Sequence, residues 1–172
     1  TIIMATKKGK SIRFDENQAR PTGRRTKGVR GIRLGSSDEV IGMLIAKREG
    51  SVLVASENGY GKRSNLDEYR IQARGGKGVY TMKKTHKTGN VVTILEAIDD
   101  DDLMIITNKG VMIRQSVNAI RIIGRNTQGV RLLRLDDDSK ISSVTKVIKD
   151  HEDAEDSEGS EESPEDPPNT EE

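Results

Sequence analysis

Six arginines recur in register along this chain. Arg13, Arg63 and Arg114 each stand four residues after a glycine, at Gly9, Gly59 and Gly110. Arg24, Arg74 and Arg125 each stand four residues before another, at Gly28, Gly78 and Gly129. The chemistry open to such a series is electrostatic, because a guanidinium is always charged and its planar fork of donors matches phosphate and carboxylate oxygens. Covalent chemistry has little to work with. There is no cysteine, which excludes disulfides, thiolate zinc sites and cysteine nucleophiles, and the two histidines, His86 and His151, are too far apart in sequence to suggest an imidazole cage. The runs Asp99–Asp102 and Asp136–Asp138 lie between apolar stretches without calcium-loop spacing, and they read as exposed turns. Gly61-Lys62-Arg63-Ser64 resembles the end of a phosphate-binding loop, but Ser56 stands where that loop requires its first glycine.

The elements that must position these arginines repeat with them. The first glycines are 50 and 51 residues apart, and nineteen residues after each comes the second, followed every time by valine: Val29, Val79 and Val130. Each first glycine ends a short apolar run, at residues 2–6, 52–56 and 103–107, which predicts a strand entering a hairpin at Lys8-Gly9, Asn58-Gly59 or Lys109-Gly110. Further strands are expected at Val40–Ala46, Val91–Ala97 and Ile141–Ile148. About four short strands per repeat, without a helical period, is the pattern of propeller blades, which stack and share a core. The expected fold is all-β, a propeller-like array of four-stranded blades with repeats at about 1–45, 46–97 and 98–149. Three blades are too few for a closed ring, and the chain opens inside a strand at Thr1-Ile2-Ile3, so a fragment of a longer array is expected.

Length and composition agree. The chain has 172 residues, 32% hydrophobic and 2% aromatic, which allows one domain with a thin aliphatic core. The longest nearly apolar run, Val40–Ala46, is far short of the ~20 residues that cross a bilayer, so a soluble protein without membrane contact is expected. The formal net charge of +1 conceals two regions. None of the 29 Lys and Arg follows Lys149, whereas twelve of the 28 Asp and Glu do, so residues 1–149 carry about +13 and the last 23 carry −12. That asymmetry fits a polyanion binder with an acidic appendage. The tail, residues 150–172, is expected to be disordered, since Ala154 is its only apolar residue. It reads either as a solubilising appendage or as a competitor for the cationic surface.

On blades set around an axis, residues at one repeat position fall at one height, so the six arginines are expected to form a curved band on a shared outer surface. A band of that kind suits the phosphate backbone of a bent duplex, with salt-dependent affinity from counterion release. Single-strand binding is disfavoured, because Phe14, Tyr60, Tyr69 and Tyr80 are too few to build stacking platforms.

Residues 58–63, Asn-Gly-Tyr-Gly-Lys-Arg, residues 124–130, Gly-Arg-Asn-Thr-Gln-Gly-Val, and residues 26–34, Thr-Lys-Gly-Val-Arg-Gly-Ile-Arg-Leu, resemble the C-terminal domain found in the larger, DNA-cleaving component (GyrA type) of bacterial DNA gyrase. The resemblance runs in order through about residue 148, and an acidic tail is usual in that family. It implies a β-pinwheel, a six-bladed relative of the propeller of which this chain holds about the last three blades, with double-stranded DNA wrapped around a positive rim. It implies a place in an A2B2 bacterial cytoplasmic enzyme that introduces negative supercoils, with ATP and Mg on the B component and no cofactor or catalytic residue in this fragment. Lys62 and Lys77 join the six arginines as candidate DNA contacts. Residues 72–78, Gln72, Ala73, Arg74, Gly75, Gly76, Lys77 and Gly78, nearly copy the family's Gln-Arg-Arg-Gly-Gly-Lys-Gly box, which in the family belongs to the first blade. The alternatives are the equivalent C-terminal domain of topoisomerase IV, or a protein-interaction propeller, although such propellers carry blade tryptophans and this chain has none.

Overall fold

The computed structural model describes residues 1–47 and 49–147. The acidic tail expected at 150–172 lies outside the described residues. Eleven strands are described: β1 (Ile2–Thr6), β2 (Lys10–Phe14), β3 (Val40–Ile45), β4 (Ser51–Ser56), β5 (Tyr60–Ser64), β6 (Val79–Tyr80), β7 (Val91–Ala97), β8 (Asp102–Thr107), β9 (Met112–Ser116), β10 (Val130–Arg131) and β11 (Ile141–Val147). They form three antiparallel sheets in the orders β3-β1-β2-β6, β10-β5-β4-β7 and β11-β8-β9.

The middle strands follow from the sequence directly. In β4 every residue is buried: Val52 and Val54 pack towards the first sheet with Ile3, Ala5 and Ile94, while Leu53 and Ala55 pack towards the third with Leu103 and Ile105. A sheet covered on both faces needs an unbroken apolar run rather than alternation. The seams between blades are therefore the core. β3 lies against β7 and β7 against β11, which places these strands on the inner side of the array. The short strands β6 and β10 form the outer edges.

Those outer strands are exchanged between repeats. β6 belongs to the second repeat in sequence but completes the first sheet, with Lys10 opposite Tyr80 and Ser11 opposite Val79. β10 likewise leaves the third repeat to complete the second sheet, with Tyr60 opposite Arg131. Each arm crosses the hairpin of the preceding blade so closely that glycine is required on both sides. Gly9, at φ +85°, has no room for a Cβ against the Met82 carbonyl, and Gly129, at φ +81°, would place one 2.6 Å from the Gly61 carbonyl oxygen.

Candidate nucleic-acid interface

Arg13 and Arg63 occupy matching places in β2 and β5, opposite Ile3 and Leu53 of the neighbouring strand. Both reach into the next blade. Arg13 donates to the carbonyls of Leu66 at 2.9 Å and Tyr69 at 3.2 Å, in the 3-10 turn of the second repeat and just after it. Arg63 is 5% exposed, donates its Nε to the carbonyl of Ile120 at 2.8 Å, and pairs through a terminal nitrogen with the exposed carboxylate of Asp99. Arg114, at the same place in β9, is half exposed and pairs with Asp102 of its own sheet at 2.7 Å.

The second series behaves in the same way. Arg74 donates Nε to the carbonyl of Gln18 at 3.0 Å and a terminal nitrogen to the carbonyl of Arg30 at 2.5 Å. Arg125 repeats both contacts one blade along, with Nε on the carbonyl of Glu68 at 3.1 Å and a terminal nitrogen on that of Tyr80. The expectation of six arginines on one outer surface is corrected here. Arg13, Arg63, Arg74 and Arg125 staple blade to blade, and only Arg24 and Arg114 of the set are exposed. Carbonyl oxygens at a seam do require a donor fork, and the seam repeats with the blade.

Lys62 is also inside. Its ammonium donates to the carbonyls of Gly124, at 2.7 Å, and Arg125, and to the Ser64 hydroxyl at 3.2 Å. Burial pulls its pKa down to about 8. An exposed DNA contact at Lys62 is therefore corrected to an internal latch on the third repeat's arm. The signal was present in the chain: Ile12 and Ile113 fill the same repeat position, so that position points inward. Nor are all the acidic turns exposed, since Asp101 and Asp102 are buried.

The box-like segment is packed against the first repeat. Gln72 donates its backbone N–H to the Arg13 carbonyl and Gly75 to that of Gly31, at 2.8 and 2.7 Å, and the Gly76 carbonyl accepts from Arg33 at 2.8 Å. Gly78, at φ +69°, abuts the Ser11 carbonyl. Of its two cations, Arg74 is engaged and Lys77 is exposed.

The repeat register did not single out a pair of contacts on the outermost edge. The Lys10 ammonium lies 5.5 Å from the ring centre of Tyr80, and the Arg131 guanidinium 5.7 Å from that of Tyr60. The pairs occupy matching positions with the partners exchanged, cation and ring trading places between own strand and arriving arm. The hydrogen bond from Arg131 lowers the Tyr60 phenol pKa. Exchange hid the pairs, because aligned positions show Lys10 against Tyr60 and Tyr80 against Arg131.

A family model described as "DNA gyrase C-terminal domain, beta-propeller" matches residues 1–47, 50–95 and 101–148. The DNA gyrase A proteins of Staphylococcus aureus strains MRSA252 and NCTC 8325 are 48% identical over 145 residues, 83% of this chain and 16% of the relative. The chain thus spans about one sixth of the length of the curated relatives it matches. A solved DNA gyrase A C-terminal domain superposes with a TM-score of 0.79 at 32% identity, covering 86% of this chain and 50% of that one. The C-terminal domain of DNA topoisomerase IV superposes at 0.80 with 26% identity, covering 86% and 46%.

Proposed function

The chain belongs to the DNA gyrase C-terminal domain family, and we propose that it binds double-stranded DNA by its backbone and wraps it along the outer edge of the blade array. The observation that carries this reading is the conjunction of a rigidly stapled, curved set of blades with about +13 of charge on residues 1–149. Bending a 20–30 bp site costs of order 1–6 kcal/mol, and a surface that is itself curved and cationic offsets that cost through phosphate contacts. A loosely hinged array would yield to the stiff duplex instead. The seam arginines thus support wrapping by holding shape, while exposed cations make the contacts.

In the parent enzyme this module sets the handedness of the DNA segment presented for strand passage, so that ATP-driven cycles introduce negative supercoils. The partners are the remainder of the gyrase A protein and the gyrase B protein in an A2B2 assembly of the bacterial cytoplasm, with ATP and magnesium handled by the B protein. This chain contributes binding and shape. Gyrase is preferred to topoisomerase IV because the curated relatives at 48% identity are gyrase proteins, whereas the topoisomerase IV domain is 26% identical.

Electrophoretic mobility of a duplex of about 140 bp, titrated with the full chain between 50 and 200 mM KCl, tests the reading. Log affinity falls linearly with log salt if several phosphates are neutralised. Affinity independent of salt, or stronger binding to the single strand, contradicts it.

A further inference from the structure

The segment joining each arm to the following inner strand lies beside the hairpin of its own repeat, and its charge differs from one repeat to the next. In the first repeat it carries Asp38 and Glu39: the Lys8 backbone N–H donates to Asp38 at 2.9 Å, and the Lys7 ammonium pairs with Glu39 at 2.6 Å. In the third it carries Asp136–Asp138, and Lys109 donates to the Asp137 carbonyl at 3.0 Å. In the second repeat the signs are exchanged. The hairpin presents Glu57 and Asn58, and the segment presents Lys83, Lys84 and Lys87.

These three lysines are exposed, and among the described residues none has a carboxylate within ion-pairing distance. Lys84 donates to the neutral Asn90 side chain at 2.7 Å. The segment that carries them is held firmly, with the Lys83 backbone N–H bonded to the Thr127 carbonyl at 2.9 Å and buried Thr88 closing its turn. Lys83 and Lys84 line an open groove of about 690 Å³ together with Lys8, Tyr80 and Asn126, and Lys10 stands over the Tyr80 ring at its side. The groove therefore combines uncompensated cations, a half-exposed ring and an amide on the outermost edge, fed by both adjoining repeats.

We propose that this groove grips the phosphodiester backbone of the wrapped duplex, with Lys83 and Lys84 supplying its phosphate contacts. The inference rests on the DNA-binding reading above and narrows it to one place. An open groove on a convex edge suits a continuous polymer passing over it. Over the first and third repeats the corresponding segments carry carboxylates, so the backbone is held most tightly at the second.

The test uses the full chain with Lys83→Gln and Lys84→Gln combined, against Lys47→Gln, an exposed lysine at the end of β3. On a duplex of about 140 bp the double variant loses about tenfold in affinity at 100 mM KCl, and its log–log salt slope is shallower by about 1.8, the value for two phosphates. Lys47→Gln keeps the parent's slope. Parent-like affinity and slope in the double variant, with the parent itself binding duplex in a salt-dependent manner, overturn the groove and leave the wider reading standing. A parent that shows no salt-dependent binding overturns both. Micromolar binding of inorganic tripolyphosphate that the double variant loses, with duplex affinity unchanged, makes this a small-anion site and also overturns the assignment.

Discussion

The Nε of Arg63, rooted in the second sheet, donates to the carbonyl oxygen of Ile120 in the third repeat across 2.8 Å. The guanidinium is buried, so it is held by these oxygens and not by solvent. Removing one partner of a buried charged pair leaves the other unsatisfied, at a cost of about 3 kcal/mol or more. Arg63→Ala is expected to lower the free energy of unfolding by that amount in urea titrations. Arg24→Ala, at an exposed member of the six, stays within about 0.5 kcal/mol of the parent.

Glycine at matching repeat positions is expected to differ in importance. Gly28 and Gly129 both have positive φ, but a Cβ at Gly28 meets nothing within 4 Å, whereas at Gly129 it meets the Gly61 carbonyl oxygen at 2.6 Å. Gly28→Ala bears only the left-handed backbone penalty of about 1 kcal/mol. Gly129→Ala adds a collision with backbone that cannot yield without parting β10 from β5, so its loss in urea is expected to be about 3 kcal/mol.

Lys62 makes stability depend on pH in a definite direction. Its folded pKa is about 8, below the ordinary lysine value of 10.5. Between those values the unfolded chain binds more protons than the folded one, so the lysine's contribution to stability rises with pH across that window. Measured at pH 8, 9 and 10, the unfolding free energy of the parent minus that of Lys62→Met is expected to climb by up to about 1.4 kcal/mol per pH unit. Parallel pH profiles contradict a buried ammonium.

Which parts of this molecule could be read from its residues follows from how each signal arises. The runs at 2–6, 52–56 and 103–107 were legible as strands because a sheet buried on both faces writes a continuous apolar stretch. The exchange of β6 and β10 was not, since two residues bonded to a neighbouring blade carry the same pattern as two bonded to their own. The arginine register was legible as a repeat but misled as to surface. An array repeats the contacts that join its blades as faithfully as any that face a ligand, and Arg74 and Arg125 make the same seam twice. Lys83 and Lys84 lack the register altogether, because their matching positions are Arg33 and Leu34 in one repeat and Arg134 and Leu135 in the other.

Wrapping, as opposed to binding alone, is tested most directly by the topology of closed DNA. A singly nicked circular plasmid is sealed by ligase in the presence of increasing amounts of the full chain, then stripped of protein and resolved by its linking number. A stiff duplex held along a curved cationic edge keeps its writhe through ligation, so the topoisomer distribution should shift in one direction in proportion to bound chain, and the shift should vanish at a salt concentration that releases the DNA. Plasmid that is fully bound yet yields the same topoisomers as naked DNA would contradict the account.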